Sequence, residues 1–400
     1  AIGAEEERIL AEGLLGWCRL LEGDIDDGLA GIRRAVEGAR EAEGGVLEGR
    51  YPVGSALAHS QLAAALELGG RLEEAREVAI VGSEIAARQG VSRTFGSGLE
   101  ASAARALYQL GQWDEATDTL EHALAGGAVG SGRISLLSVR ALIDVGRGRL
   151  AEAAATVSLA DGLVDEHTPL DVRRWLAAAA VELTIWQGDG NTALARLALA
   201  VADAEAPAVA APGTRPAILD ASVPHLLALG ARAVADVAIA ERAGGEEPGL
   251  SAIARSQLET ALRRAERRAA LADVWAADLT LARAELARGE GADPSRRAKR
   301  WRTAIGLLED RPYLAAYTGW RLAEAMLAQR DGRQAAAPVI TAALERTETL
   351  GAGLLAGELR ALARRARLEV GESSGATTVE AAGAGARAFG LTERESEVLA

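Results

Sequence analysis

Small residues recur in a fixed register around a series of turn glycines along most of this chain. Each turn opens on glycine and reaches a small residue five positions later. The copies read Gly23-Asp-Ile-Asp-Asp-Gly28, Gly70-Arg-Leu-Glu-Glu-Ala75, Gly111-Gln-Trp-Asp-Glu-Ala116, Gly148-Arg-Leu-Ala-Glu-Ala153 and Gly188-Asp-Gly-Asn-Thr-Ala193. Gly230 to Ala235 and Gly332 to Ala337 continue the series, and a weaker copy begins at Gly289. Intervals between these glycines run from 37 to 59 residues and centre near 40. Two further small positions keep step. Gly16, Ala63, Ala104, Ala141 and Ala325 stand seven residues before the glycine; Ala35, Gly82, Ala123, Ala160 and Ala200 stand twelve after it. The pattern predicts helix pairs. Glycine ends the first helix because the next residue often turns left-handed, which only glycine does without strain. The small residues mark where helices cross closely. A self-similar period of this length is the mark of stacked helical units.

Composition points the same way. Ala, Leu and Arg dominate, all strong helix formers, and aromatic residues make up only 3%. Stretches rich in Val, Ile, Thr and Tyr are scarce, so the chain reads as all-α. The net charge of −13 repels phosphate, and the bulk of the chain is not expected to bind DNA or an anionic membrane. Arg clusters do occur, at Arg263, Arg264, Arg267 and Arg268, at Arg296, Arg297, Lys299, Arg300 and Arg302, and at Arg360, Arg364, Arg365 and Arg367. They read as solvated helix faces paired with nearby Glu and Asp. The single cysteine, Cys18, excludes an intramolecular disulfide and suits a reducing cytoplasm. Its neighbours Trp17, Leu20 and Leu21 suggest a small buried hydrophobe. No run of 18 apolar residues occurs, so no membrane partner is expected. The chain opens on Ala1 inside what reads as a helix, as a piece of a larger protein would.

The register of small residues resembles that of the tetratricopeptide repeat, over roughly residues 5–370. That resemblance implies a right-handed superhelix of antiparallel helix pairs filling a solenoid domain at 1–370. The units depart from the family in being longer than its usual ~34 residues. The stretch Ala206 to Pro216, with three prolines, reads as a long loop and a hinge. Solenoids of this kind bind on the concave side, lined by the first helix of each pair. The residues offered there are Ser60 and Glu67, then Arg105, Tyr108 and Gln109, then Arg173, Arg174 and Trp175. Arginine beside an aromatic ring suits a peptide, a carboxylate or a sugar ring. For Tyr108, Trp175 and Trp186 taken singly, filling the gaps between repeats is the favoured reading.

Composition changes after Val370. Residues 371–388 are rich in Gly, Ala, Ser and Thr and read as a flexible linker. Order returns at 389–400. Thr392 followed by Glu395 forms a capping box, and Leu391 can staple onto the first turns, where Val398 and Leu399 lie. Leu391, Thr392, Arg394, Glu395, Val398 and Leu399 match the opening of the helix-turn-helix domain of LuxR-type transcription regulators. With a helical array and a linker before it, the order resembles large regulators similar to the maltose-operon activator. The resemblance implies an ATPase module upstream, so ATP would be bound outside this chain, and a DNA reader whose recognition helix lies beyond Ala400. It implies a protein or small-molecule inducer on the solenoid, and DNA only through the missing domain.

No catalytic or cofactor constellation is expected in the chain itself. Its one lysine, Lys299, sits between Ala298 and Arg300 without the glycines of a phosphate-binding loop. His59, His122, His167 and His225 have no metal-ligand spacing and read as surface or cap residues. Acidic pairs such as Asp26–Asp27 and Glu73–Glu74 fall at helix starts, where they favour the helix dipole. The expected role is sensing and coupling within a regulator; the other reading is an interaction scaffold without DNA binding.

Overall fold

The computed structural model describes residues 2–43, 54–205, 222–245, 249–267 and 275–368. Among these residues the fold is all-helical, with seventeen α-helices and no strand. Consecutive helices pack as antiparallel neighbours: α1 (Ile2–Glu22) with α2 (Ile25–Glu43), and α3 (Gly54–Leu68) with α4 (Leu72–Arg88). A π-helical turn, Ser92–Gly96, leads into α5 (Ser97–Gln109), followed by α6 (Trp113–Ala125), α7 (Gly130–Arg147) and α8 (Leu150–Asp161). The array goes on through α9 (Leu170–Trp186), α10 (Gly190–Glu205), α11 (Ser222–Ala243), α12 (Leu250–Glu266), α13 (Ala276–Gly289) and α14 (Pro294–Ile305). It closes with α15 (Pro312–Leu327), α16 (Gly332–Leu350) and α17 (Gly353–Arg365). Alternate helices α5, α7, α9, α11 and α13 also pack on one another, forming an inner row.

The small positions are where the helices meet. Gly28, Ala75, Ala116, Ala153 and Ala193 are buried, as are both flanking series of small residues around them. At Gly28 an added Cβ would lie 2.7 Å from Leu20 N and 2.8 Å from Gly16 O, so α1 and α2 touch backbone to backbone. Gly148 ends α7 at φ 86°, and the Arg149 N–H turns back to the Asp144 carbonyl. Helix starts carry the expected acids, Asp26 and Asp27 on α2 and Glu73 and Glu74 on α4. Asp293 caps α14 by accepting from the N–H groups of Ser295 and Arg296, with Pro294 preset for the first turn.

The register slips in the later units. Gly23, Gly70, Gly111 and Gly188 also sit at positive φ, but Gly230, Gly289 and Gly332 do not. Gly230 lies within α11, which continues to Ala243 before turning at Gly245. Its missing side chain makes room for Leu197. Gly289 is the last residue of α13, with the turn at Gly291, and Gly332 begins α16. Cys18 is exposed rather than buried. It lies one residue from Trp17, and the ~100° step per residue carries it off the face that Trp17 and Leu20 bury. The proposed hinge within 206–216, the linker at 371–388 and the segment 389–400 lie outside the described residues.

The last three helices fold back on the array. Tyr313 meets Trp113 at the start of α6, ring centroids 5.4 Å apart. Leu350 and Pro312 flank Gly111, Leu354 faces Gly148, and α17 packs on α7. One apolar cluster therefore runs from Trp17 on α1 to Ala363 on α17. Helix α11 lies deep inside it. It is the described helix long and apolar enough to cross a membrane, and 72% of that apolar window is buried in protein.

Candidate functional site

Three inner helices repeat one side-chain spacing. On α9, Trp175, Glu182 and Trp186 stand at i, i+7 and i+11; on α11, His225, Arg232 and Asp236 do the same. On α13, Asp278, Glu285 and Gly289 follow suit. Seven and eleven residues bring a helix round to nearly one face. On α15, Tyr313, Tyr317, Trp320 and Arg321 share a face in the same way. That face of α15 lies against α9, α11 and α13. Few backbone atoms approach closely there, and long side chains fill the space.

The result is a buried belt in three layers. In the first, Trp175 stacks on His225 at 5.4 Å, and His225 Nδ1 stands 3.9 Å from Asp278, which binds Arg311 at 2.5 Å. In the second, Tyr313 donates its hydroxyl to Glu182 at 2.9 Å, and Tyr317 donates to Glu285. Arg232 stands 4.0 Å from Glu182, its guanidinium 4.5 Å from the Trp186 ring centre and 4.6 Å from that of Tyr317. In the third, Trp186 stacks on Trp320 at 6.4 Å. Arg288 there bridges Glu285 at 2.7 Å and Asp236 at 2.6 Å. Arg321 lies 3.6 Å over the Trp320 ring and donates to the Tyr317 hydroxyl at 3.1 Å.

Burial and charge pull against each other throughout the belt. Burial alone would raise the Asp278 carboxyl, but Arg311 and His225 outweigh it and hold the group well below its ordinary value. Asp236, half-buried, is likewise lowered by Arg288, Arg321 and Arg232 against the pull of desolvation. Burial, helped by Glu182, pushes the phenols of Tyr108 and Tyr313 well up. Desolvation also raises Tyr317, so the three phenols remain hydrogen-bond donors at neutral pH.

The residues expected on a concave face split into two groups. Arg105 makes a bidentate pair with Glu67, at 2.6 and 2.7 Å, and Gln109 donates to the same carboxylate at 3.2 Å. The Arg105 guanidinium also lies 5.3 Å from the Trp175 ring centre. Tyr108 stacks on Trp113, whose indole N–H donates back to the Tyr108 carbonyl at 3.0 Å. Arg105, Tyr108, Arg174 and Trp175 are all buried and Gln109 is half-buried, so these residues face protein. Arg173 stands apart, donating to the Asp165 carbonyl at 2.6 Å in the loop before α9. The helix-turn-helix residues Leu391, Thr392, Arg394, Glu395, Val398 and Leu399 lie outside the described residues. His122 and His167 are exposed, whereas His59 and His225 are buried.

Composition and motif searching missed the belt. The repeated spacing of seven and eleven, carrying Trp, Glu, His, Arg and Asp on otherwise Ala- and Leu-rich helices, was the available signal. Among the described residues, no group of three or more His, Cys, Asp and Glu is placed to hold a metal ion. Comparison with known protein families and with curated proteins finds no match to the chain.

Glu182, Asp236, Asp278 and Glu285 accept hydrogen bonds in the belt and Arg288, Arg311 and Arg321 donate them, while Arg232 lies over the rings of Trp186 and Tyr317. Such an arrangement binds and clamps. It couples α15 to three inner helices through contacts that are lost together if α15 moves.

Proposed function

We propose that this chain is the sensor and coupling region of a LuxR-type transcriptional regulator. The observation that carries the reading is the run Leu391-Thr392, Arg394-Glu395 and Val398-Leu399 following a long helical array. The array's helix pairs, with small residues buried at each crossing, support a tetratricopeptide-like superhelix. Its longer units and slipped glycines make it an irregular member of that class. The reading places the chain in the cytoplasm, without catalysis of its own and without a membrane partner. It assigns ATP binding, if the parent has it, to an upstream module and DNA contact to a domain beyond Ala400.

The belt supports the coupling role. A buried ionic cluster stabilises less than an apolar core of the same volume, and it is strongly disturbed when one partner is removed. It therefore suits an element whose position is to be biased by a protein or small-molecule inducer.

The test begins with the parent reading frame past Ala400, which should encode a recognition helix. Electrophoretic shift then compares this chain with one extended through that segment. The expected result is that only the extended chain retards promoter DNA. If neither does, or if no helix-turn-helix follows, the regulator reading falls and an interaction scaffold replaces it.

A further inference from the structure

Two of the three arginine clusters find acids close by: Arg263 pairs with Glu259 at 3.5 Å and Arg360 with Glu348 at 2.9 Å. Helix α14 differs. It buries Ala298, Trp301 and Ala304 and exposes Arg296, Lys299 and Arg302 at the same interval of three. Among the described residues, no carboxylate stands within ion-pair distance of these three cations. The neighbouring acids are engaged elsewhere: Asp293 accepts from the helix's own N–H groups, and Glu290 binds Arg255. Glu309 and Asp310, just past the helix end, reach none of them. Like charges three residues apart weaken a helix, and Arg296 in the first turn also opposes the helix dipole. This face of α14 therefore gives the fold of a single chain nothing.

The same chain carries the complement. On α6, Glu115, Asp118 and Glu121 stand exposed, again at an interval of three. Asp118 and Glu121 have no ion-pair partner among the described residues, and Glu115 has only Arg76, at 3.9 Å. Arg140 and Arg149, which share a groove with Glu121, are taken up by Asp144 at 3.8 and 2.6 Å. From first to last, each trio runs about 9 Å along its helix. We propose that α14 of one copy docks on α6 of a second copy, with the two helices antiparallel. Arg296 then meets Glu121, Lys299 meets Asp118, and Arg302 meets Glu115. Antiparallel docking also sets Arg296 beside the C-terminal end of α6 and Glu121 beside the N-terminal end of α14, where each charge is favoured. The contact is small and polar, of the kind that forms transient pairs and selects its partner by charge. It does not rest on the regulator reading, so each can fail alone.

The test is sedimentation equilibrium of the full chain at low and high salt. Self-association is expected with a midpoint on the order of 10–100 μM at about 50 mM salt, and its loss at about 0.5 M. One variant reverses α14 (Arg296→Glu, Lys299→Glu, Arg302→Glu) and a second reverses α6 (Glu115→Lys, Asp118→Lys, Glu121→Lys). All six positions are exposed, so the helical circular dichroism should be kept. Each variant alone should associate at least about tenfold more weakly, because its two faces then carry the same sign. An equimolar mixture of the two should associate again, to within about threefold of the wild-type chain. Both variants keep a net negative charge, so the mixture has no general attraction to explain its recovery. A wild-type chain that stays monomeric at about 100 μM in low salt overturns the proposal, as does association that salt leaves unchanged. Undiminished association of either variant, or a mixture that stays monomeric, overturns it equally. If a monomeric chain instead holds a polyglutamate peptide or duplex DNA through α14, a foreign anion occupies that face and the second copy does not.

Discussion

The stack of α5 to α8 and the clasp of α15 onto α9, α11 and α13 hold helices together by opposite means. In the stack, Ala104, Ala116, Ala141 and Ala153 bring backbones close, and the stabilisation is packing. In the clasp the backbones stay apart, and Arg, Glu, Tyr and Trp side chains span the gap. The stack has no room for added atoms, whereas the clasp suffers most when atoms are taken away. Each region therefore fails under the substitution that the other tolerates.

The largest effect is expected where the two meet. Trp113 is 2% exposed, stacks on Tyr108 and tilts against Tyr313. Trp113→Ala should cost about 3–5 kcal/mol, read as a lower urea midpoint, and should loosen both regions together. If hydrogen exchange in α15 is unchanged while α6 and α7 lose protection, the link between the regions is wrong.

Asp278→Asn should cost a similar or somewhat smaller amount, about 3 kcal/mol, because it strands the largely buried Arg311. It should also change the acid limb of stability. The Asp278 carboxyl is held below its unfolded value of about 3.9, so it contributes stability above that pH and loses it as the pH falls further. Half-buried Asp236 acts in the same direction. Asp144 acts in reverse: burial outweighs Arg149 and Arg140 and raises the group, so its contribution is present below the ordinary carboxyl value and is lost as the pH rises above it. The wild-type chain should weaken below about pH 4 and the variant less steeply, as urea midpoints between about pH 3 and 7 will show. Equal slopes would mean that Asp278 does not govern the acid limb.

A gain of atoms should hurt the stack instead. Gly146 lies in the last turn of α7, a helical position where alanine ordinarily stabilises by up to about 1 kcal/mol. An added Cβ there would overlap the Trp113 indole, so Gly146→Ala should destabilise by about 1–3 kcal/mol. A rise in thermal midpoint would show that the stack can give way. The smallest effect belongs to neither region. Arg33 and Glu74 pair at 2.6 Å on the surface, and Arg33→Ala should change stability by less than about 1 kcal/mol at moderate salt. A larger loss would mean that the outer ion pairs share the clasp's role.

The stack was legible in the sequence because its cause is local and repeated. A small residue at each crossing leaves a mark every forty positions, and Ala75, Ala116 and Ala153 stand where that register puts them. The clasp left no mark of that kind. Tyr313 and Glu182 are separated by 131 residues, and nothing local to either names the other. Arg105, Tyr108, Gln109, Arg174 and Trp175, offered as ligand contacts on a concave face, pack instead against protein, while Arg173 binds the loop before α9. What occupies that face follows only from where α15 comes to rest. Gly230 misled because its role is spatial: it yields room to Leu197 across a helix crossing, and a sequence shows this no differently from a turn.

The long reach of the Tyr313–Glu182 contact also sets an order of events in folding. Paired helices close short loops, so any unit of the stack can form early and recruit its neighbour. Tyr313 can find Glu182 only after the helices between them have taken their places, because closing so large a loop brings no return until the partner surface exists. A nascent chain would thus acquire its repeats in sequence and its clasp last. Through that interval the indoles of Trp113, Trp186 and Trp320 would stand open to solvent and to chaperones.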